Sequence, residues 1–79
     1  MSPTVFRERG YRFFFFSREE KRMHVHVQST DGEAKFWLEP QISLAKNYGL
    51  SRRELTRIRS IIEAYEIKLR NAWYDHFGR

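Results

Sequence analysis

His24-Val25-His26-Val27-Gln28-Ser29-Thr30-Asp31-Gly32-Glu33-Ala34-Lys35-Phe36-Trp37-Leu38-Glu39-Pro40 is the stretch that decides the fold. Residues 24–28 alternate polar and apolar with period two, the pattern of a half-buried strand. Asp31-Gly32 is a strong hairpin dipeptide, residues 34–39 form the return strand, and Pro40 stops it. A two-residue Asp31-Gly32 turn sets Thr30 opposite Glu33. Val27 then faces Phe36 and Val25 faces Leu38 on an apolar surface. On the other surface His26 faces Trp37, His24 faces Glu39 and Gln28 faces Lys35. One register sorts both strands consistently.

Outward from this hairpin, residues 4–7 are β-prone and Glu8-Arg9-Gly10 supplies a turn. Tyr11 to Ser17 is almost wholly aromatic, which suggests a strand covered on both faces. Arg18 to Arg22 reads as a solvated charged loop. After Pro40, Ile42, Leu44, Ala45 and Tyr48 suggest a short helix or turn over 41–49, ended by Gly49. Ser51 and Glu54 fit a capping box. Leu55, Ile58, Ile62, Tyr65, Leu69, Ala72 and Trp73 then recur at helical spacing, predicting one long amphipathic helix over 51–77 closed by Gly78. Arg52, Arg59, Glu63, Glu66 and Arg70 fall on its opposite face. The expected architecture is α+β: residues 1–40 form a β-rich part with a small antiparallel sheet of three or four strands, and the long C-terminal helix packs on its apolar face.

Seventy-nine residues make a single domain. Seven Phe, four Tyr and two Trp argue against disorder. The absence of cysteine removes disulfides, thiolate metal sites and cysteine nucleophiles. The longest apolar run, Phe13 to Phe16, falls far short of the ~20 residues of a membrane-spanning helix, and no signal peptide is visible, so a cytoplasmic protein without membrane contact is expected. Fifteen Lys and Arg against ten Asp and Glu give +5, a charge drawn to polyanions such as RNA or DNA. The same excess also serves to keep a small domain soluble.

Several side chains carry candidate chemistry. His24 and His26 lie two apart on a strand and point the same way, about 6.6 Å apart at ~3.3 Å rise per residue. They suit acid–base chemistry on an RNA 2′-hydroxyl without metal, and with Glu39 they resemble a two-histidine, one-carboxylate set. No metal motif of strict spacing is present, and no cofactor is expected. A surface or structural role for both histidines is the plainer reading. Trp37 offers a stacking platform for an unpaired base, with Lys35 meeting phosphate; the helix is expected on the other face, leaving Trp37 exposed. Arg52, Arg53 and Arg57 cluster at the start of the long helix, where backbone N–H groups add to a positive field. The commoner explanation of such a cluster is a solvated face.

The sequence resembles the bacterial family called domain of unknown function 4160. The resemblance is carried by Pro3 to Arg7, Gly10 to Ser17, His24 to Val27, Gly32 to Pro40, Leu44 to Ser51, Glu54-Leu55, Ala72-Trp73 and His76 to Gly78. Members usually have Pro-Pro before the first histidine, where this chain has Arg22-Met23. The resemblance implies a compact sheet with a long helix, and a gene paired with another small gene in a toxin–antitoxin-like arrangement. A nucleic-acid-interacting component of such a pair is the expected function, with Lys35, Trp37, Glu39, Arg52, Arg53 and Arg57 as binding residues. The alternatives are a module for a small partner protein from a neighbouring gene and a metal-independent ribonuclease using His24 and His26. A homodimer is compatible with each.

Overall fold

The structure, a computed structural model, describes residues 4–16 and 21–78. The expected charged loop at 18–22 therefore lies mostly outside the described residues. Five strands, β1 (Thr4–Glu8), β2 (Tyr11–Phe14), β3 (His24–Gln28), β4 (Glu33–Trp37) and β5 (Ser43–Tyr48), form one antiparallel sheet in the order β1-β2-β3-β4-β5. Two helices follow, α1 (Arg52–Ala64) and α2 (Glu66–Phe77). The α+β expectation holds, with one strand more than expected.

The first hairpin turns at Arg9-Gly10, with Glu8 opposite Tyr11. Both turn residues have positive φ, 53° and 84°. That is the mirror-image turn whose twist matches the flanking strands. The central hairpin is built otherwise. His24 pairs Trp37, Val25 pairs Phe36, His26 pairs Lys35 and Gln28 pairs Glu33. This register lies two residues from the one expected. Asp31-Gly32 is part of a four-residue connection closed by Ser29 N–H donating to the Gly32 carbonyl at 2.9 Å. Gly32 is required for a different reason. A Cβ there would land on the Tyr48 carbonyl oxygen, so its backbone can lie against residues 48 and 49 only without a side chain. A shift of two preserves which residues share a face. Val25, Val27, Phe36 and Leu38 accordingly remain in the core.

Residues 41–49 are corrected from short helix or turn to strand β5 for Ser43–Tyr48. Its pairing with β4 shifts between Lys35 and Phe36, which leaves Ala45 as an extra, bulged residue. A matching irregularity lies between Thr4 and Phe6 in β1. The helical segment is likewise two helices rather than one. Tyr65 leaves helical geometry at φ −110° and ψ 21°, although its N–H still donates to the Ile61 carbonyl. Its ring lies 4.7 Å from Phe6, and its hydroxyl donates to Glu8 at 3.5 Å, which ties the joint to β1. The capping box forms as expected between Ser51 and Glu54, and Gly78 closes α2 in the left-handed conformation.

Ile58, Ile61 and Ile62 of α1 and Leu69 and Trp73 of α2 pack with Tyr11, Phe13, Val25, Val27, Phe36 and Leu38. Phe15 meets Trp73 edge-on at 5.3 Å. Two arginines of the helices' polar side also serve the fold. Arg59 donates to the Ile42 carbonyl at 2.8 Å, and Arg70 to the Leu38 carbonyl at 2.6 Å while pairing with Glu66. Among the described residues no helix is long and apolar enough to cross a membrane.

Candidate functional site

With both helices on one side of the sheet, strand alternation sends a second set of side chains to the other. Successive pairs across that face are Arg7–Arg12, Arg12–Gln28, Phe14–His26, His26–Lys35 and Lys35–Lys46, with Gln28–Glu33–Tyr48 as the next row. Two of these, Arg7–Arg12 and Lys35–Lys46, set like charges directly opposite each other, an arrangement that costs stability by itself. Glu33 is the one acid that these paired rows contribute to the face.

Aromatic rings lie between the cations. Phe14 is buried beneath its neighbours, with the Arg12 guanidinium 4.2 Å from its centroid, His26 stacked at 5.5 Å and Phe16 edge-on at 5.3 Å. Phe16 also meets His26 at 4.4 Å. Tyr48 is 64% exposed and Phe16 39%. A concavity of about 360 Å³ opens between them, lined by Phe16, His26, Glu33, Lys35, Lys46 and Tyr48.

The expected site residues are distributed unevenly over this geometry. His24 and His26 do share a face, with ring centroids 5.2 Å apart. His26 is half-buried, whereas His24 is wholly buried. The His24 ring lies against Trp37 and against Trp73 of α2, and its Nδ1–H donates to the Arg22 carbonyl at 2.6 Å. A ring so enclosed does not reach a substrate phosphate in this conformation. Glu39 does not face His24. Its Oε2 accepts from the Met23 N–H at 3.3 Å, and its carbonyl accepts from Arg22, so the two-histidine, one-carboxylate arrangement is not assembled. Among the described residues, no group of three or more His, Asp or Glu is placed to hold a metal ion.

Trp37 is half-buried, and two cations occupy its ring, Arg22 at 4.1 Å and Lys35 at 4.5 Å. Lys35 itself is only 7% exposed. In this part of the face the exposed ring-bearing and cationic members of β5 and the end of β2 are Tyr48, Phe16 and Lys46, none of which was among the expected binding residues. Lys46 and Tyr48 lie on the strand β5, where a short helix or turn was expected; their period-two spacing was the signal, obscured by the bulge at Ala45. Arg52, Arg53 and Arg57 are exposed on α1, across the sheet from this face. Arg57 lines a separate hollow with Arg9 and Tyr65. The expected binding set is thus split between the two sides of the molecule.

At the far corner, Asp31 and Glu54 meet. A side-chain hydrogen bond with Glu54, followed by the repulsion of its charge, raises the Asp31 pKa above its ordinary value. The Glu54 pKa is lowered, chiefly by the Ser51 N–H donating to its carboxylate in the capping box. Another hollow, about 800 Å³, lies where β1 meets α2 and is lined by Val5, Phe15, Ala72, Lys68, Asp75 and His76 among others. Its lining carries charges of both signs, Lys68 and Asp75.

No curated protein matches the chain, and no solved structure does. A family model does, over residues 10–74, from the β1–β2 turn to the last turns of α2. This chain belongs to the family described as Domain of unknown function (DUF4160).

Proposed function

We propose that the protein is a nucleic-acid-interacting component of a toxin–antitoxin-like pair and that it binds single-stranded RNA on the open face of its sheet. The observation that carries the reading is the interleaving on one surface of cations, Arg7 and Lys46 exposed among them, with the exposed rings of Phe16 and Tyr48. Cations in a row follow a phosphate backbone, and rings between them stack on unpaired bases. A duplex hides its base faces and would use only the charge. The overall charge of +5 favours approach of any polyanion. The paired-gene context rests on the family resemblance.

The test is fluorescence anisotropy of labelled single-stranded RNA with the full chain, across a range of salt, beside a duplex of the same length. Binding of the single strand that weakens steeply with salt and exceeds duplex binding is the expected result. Absence of binding at low salt, or an affinity indifferent to salt, overturns the reading and turns attention to a small partner protein. Reading the same mixtures on a gel tests the ribonuclease alternative, for which the burial of His24 offers no support.

A further inference from the structure

We propose that the concavity between Phe16 and Tyr48 accepts a single unpaired guanine base, with Glu33 reading its Watson–Crick edge; this rests on the single-stranded RNA reading above. Three observations converge on it. First, the hollow of about 360 Å³ is bounded by two exposed rings, those of Tyr48 and Phe16. Rings flanking a cleft receive a third flat ring by stacking, and every base has such a face. Second, Lys46 lines the same hollow and is exposed, in place for a flanking phosphate or a base oxygen. Third, Glu33 is an acid among paired rows whose other charged members are Arg7, Arg12, Lys35 and Lys46. Its cross-strand neighbours are Gln28 and Tyr48, neither of them a cation.

A carboxylate on a surface that binds RNA repels phosphate, so it contributes to binding only where it accepts hydrogen bonds from the ligand. An ionised carboxylate has two acceptor oxygens and no donor. Of the four RNA bases, guanine alone presents two adjacent donors on its Watson–Crick edge, N1–H and the N2 amino group. Adenine, cytosine and uracil each set a ring or carbonyl acceptor beside their single donor, and that acceptor would face the second carboxylate oxygen. Guanine O6, next along the edge, is an acceptor suited to a lysine such as Lys46. The edge must be free of a pairing partner, which restricts the ligand to a single strand.

The test uses labelled RNA nonamers of uridine whose central position is G, A, C or U, with the wild-type chain and with Glu33→Gln, read by anisotropy at one fixed salt. The expected result is that the G nonamer binds at least about fivefold more tightly than the other three, the lower end of what a bidentate contact discriminates. In Glu33→Gln the preference should vanish, while affinity for the all-uridine strand is unchanged or higher because one negative charge is gone. Glu33 is exposed, and a thermal melt of the variant matching wild type confirms that the sheet is intact. Equal affinity of the wild type for all four nonamers overturns the guanine pocket and leaves RNA binding standing. A guanine preference that persists in Glu33→Gln overturns the role of Glu33. Failure to bind any nonamer at low salt overturns both the pocket and the reading beneath it.

Discussion

Replacing His24 by alanine separates a structural histidine from a catalytic one, because its neighbours set the cost. The ring is wholly buried, touches His26, Trp37 and Trp73, and satisfies the Arg22 carbonyl. Truncation removes a hydrogen bond whose net worth is about 0.5–1.5 kcal/mol and opens a cavity among aromatic side chains. Comparable buried large-to-small changes cost about 2–5 kcal/mol. Together these give a loss of about 2.5–6.5 kcal/mol. A chain of this length holds a total of only about 4–12 kcal/mol at typical stability per residue, so the variant should be close to unfolding. His26 is half-buried against Phe14 and Phe16, and His26→Ala should cost about 1 kcal/mol. Urea unfolding followed by tryptophan fluorescence measures both, since Trp37 and Trp73 both lie against His24. If His24→Ala stays within about 1 kcal/mol of wild type, the packing argument is refuted. Otherwise, any activity lost with His24 is lost through the fold.

Three other perturbations test separate parts of the structure. Gly32→Ala places a Cβ on the Tyr48 carbonyl oxygen; since backbone must move, chemical denaturation should show a loss of at least about 2 kcal/mol, and a neutral result would refute the close approach of the two loops. Lys46→Ala removes one exposed cation, so the melting temperature should hold while the slope of log affinity for single-stranded RNA against log salt falls by about 0.7. Asp31→Asn tests the carboxyl pair with Glu54. The Asp31 pKa is raised in the folded state, so the cost to stability appears as pH rises through its ordinary value of 3.8 and is complete above the raised value. Asp31→Asn should therefore melt higher than wild type at pH 7 and no higher at pH 3, and equal melting temperatures at pH 7 would count against the contact.

Period-two alternation made the two faces of the central hairpin legible, and the capping box marked the start of α1. The register was not legible, because Asp31-Gly32 resembles a two-residue turn. Gly32 is required instead by backbone packing against residues 48 and 49, where the hairpin connection meets the end of β5. The mirror-image turn sits at Arg9-Gly10, where an arginine in the left-handed region gives little warning. In β5 the extra residue at Ala45 breaks the alternation, so that Leu44, paired with Phe36, and Tyr48, paired with Glu33, stand four apart on opposite faces and the strand shows the spacing of a helix. His24 could be placed on a face by its sequence position, but its burial depends on Trp73, far along the chain in α2. The candidate site was legible as basic and aromatic. Its accessible members emerged only when Lys35 folded onto Trp37 and β5 brought Lys46 and Tyr48 alongside.

The two irregularities of the sheet fall on its two outermost strands, at Val5 in β1 and at Ala45 in β5. An outer strand that is straight and regular offers its free N–H and C=O groups to any other extended chain, and polymerisation starts from such edges. A bulge interrupts that row and twists the strand away from a flat partner. In a chain with so many aromatic residues, both ends of the sheet are therefore poor templates for adding further strands. The residue that disguised β5 in the sequence is thus also one that helps keep copies of the protein from joining edge to edge.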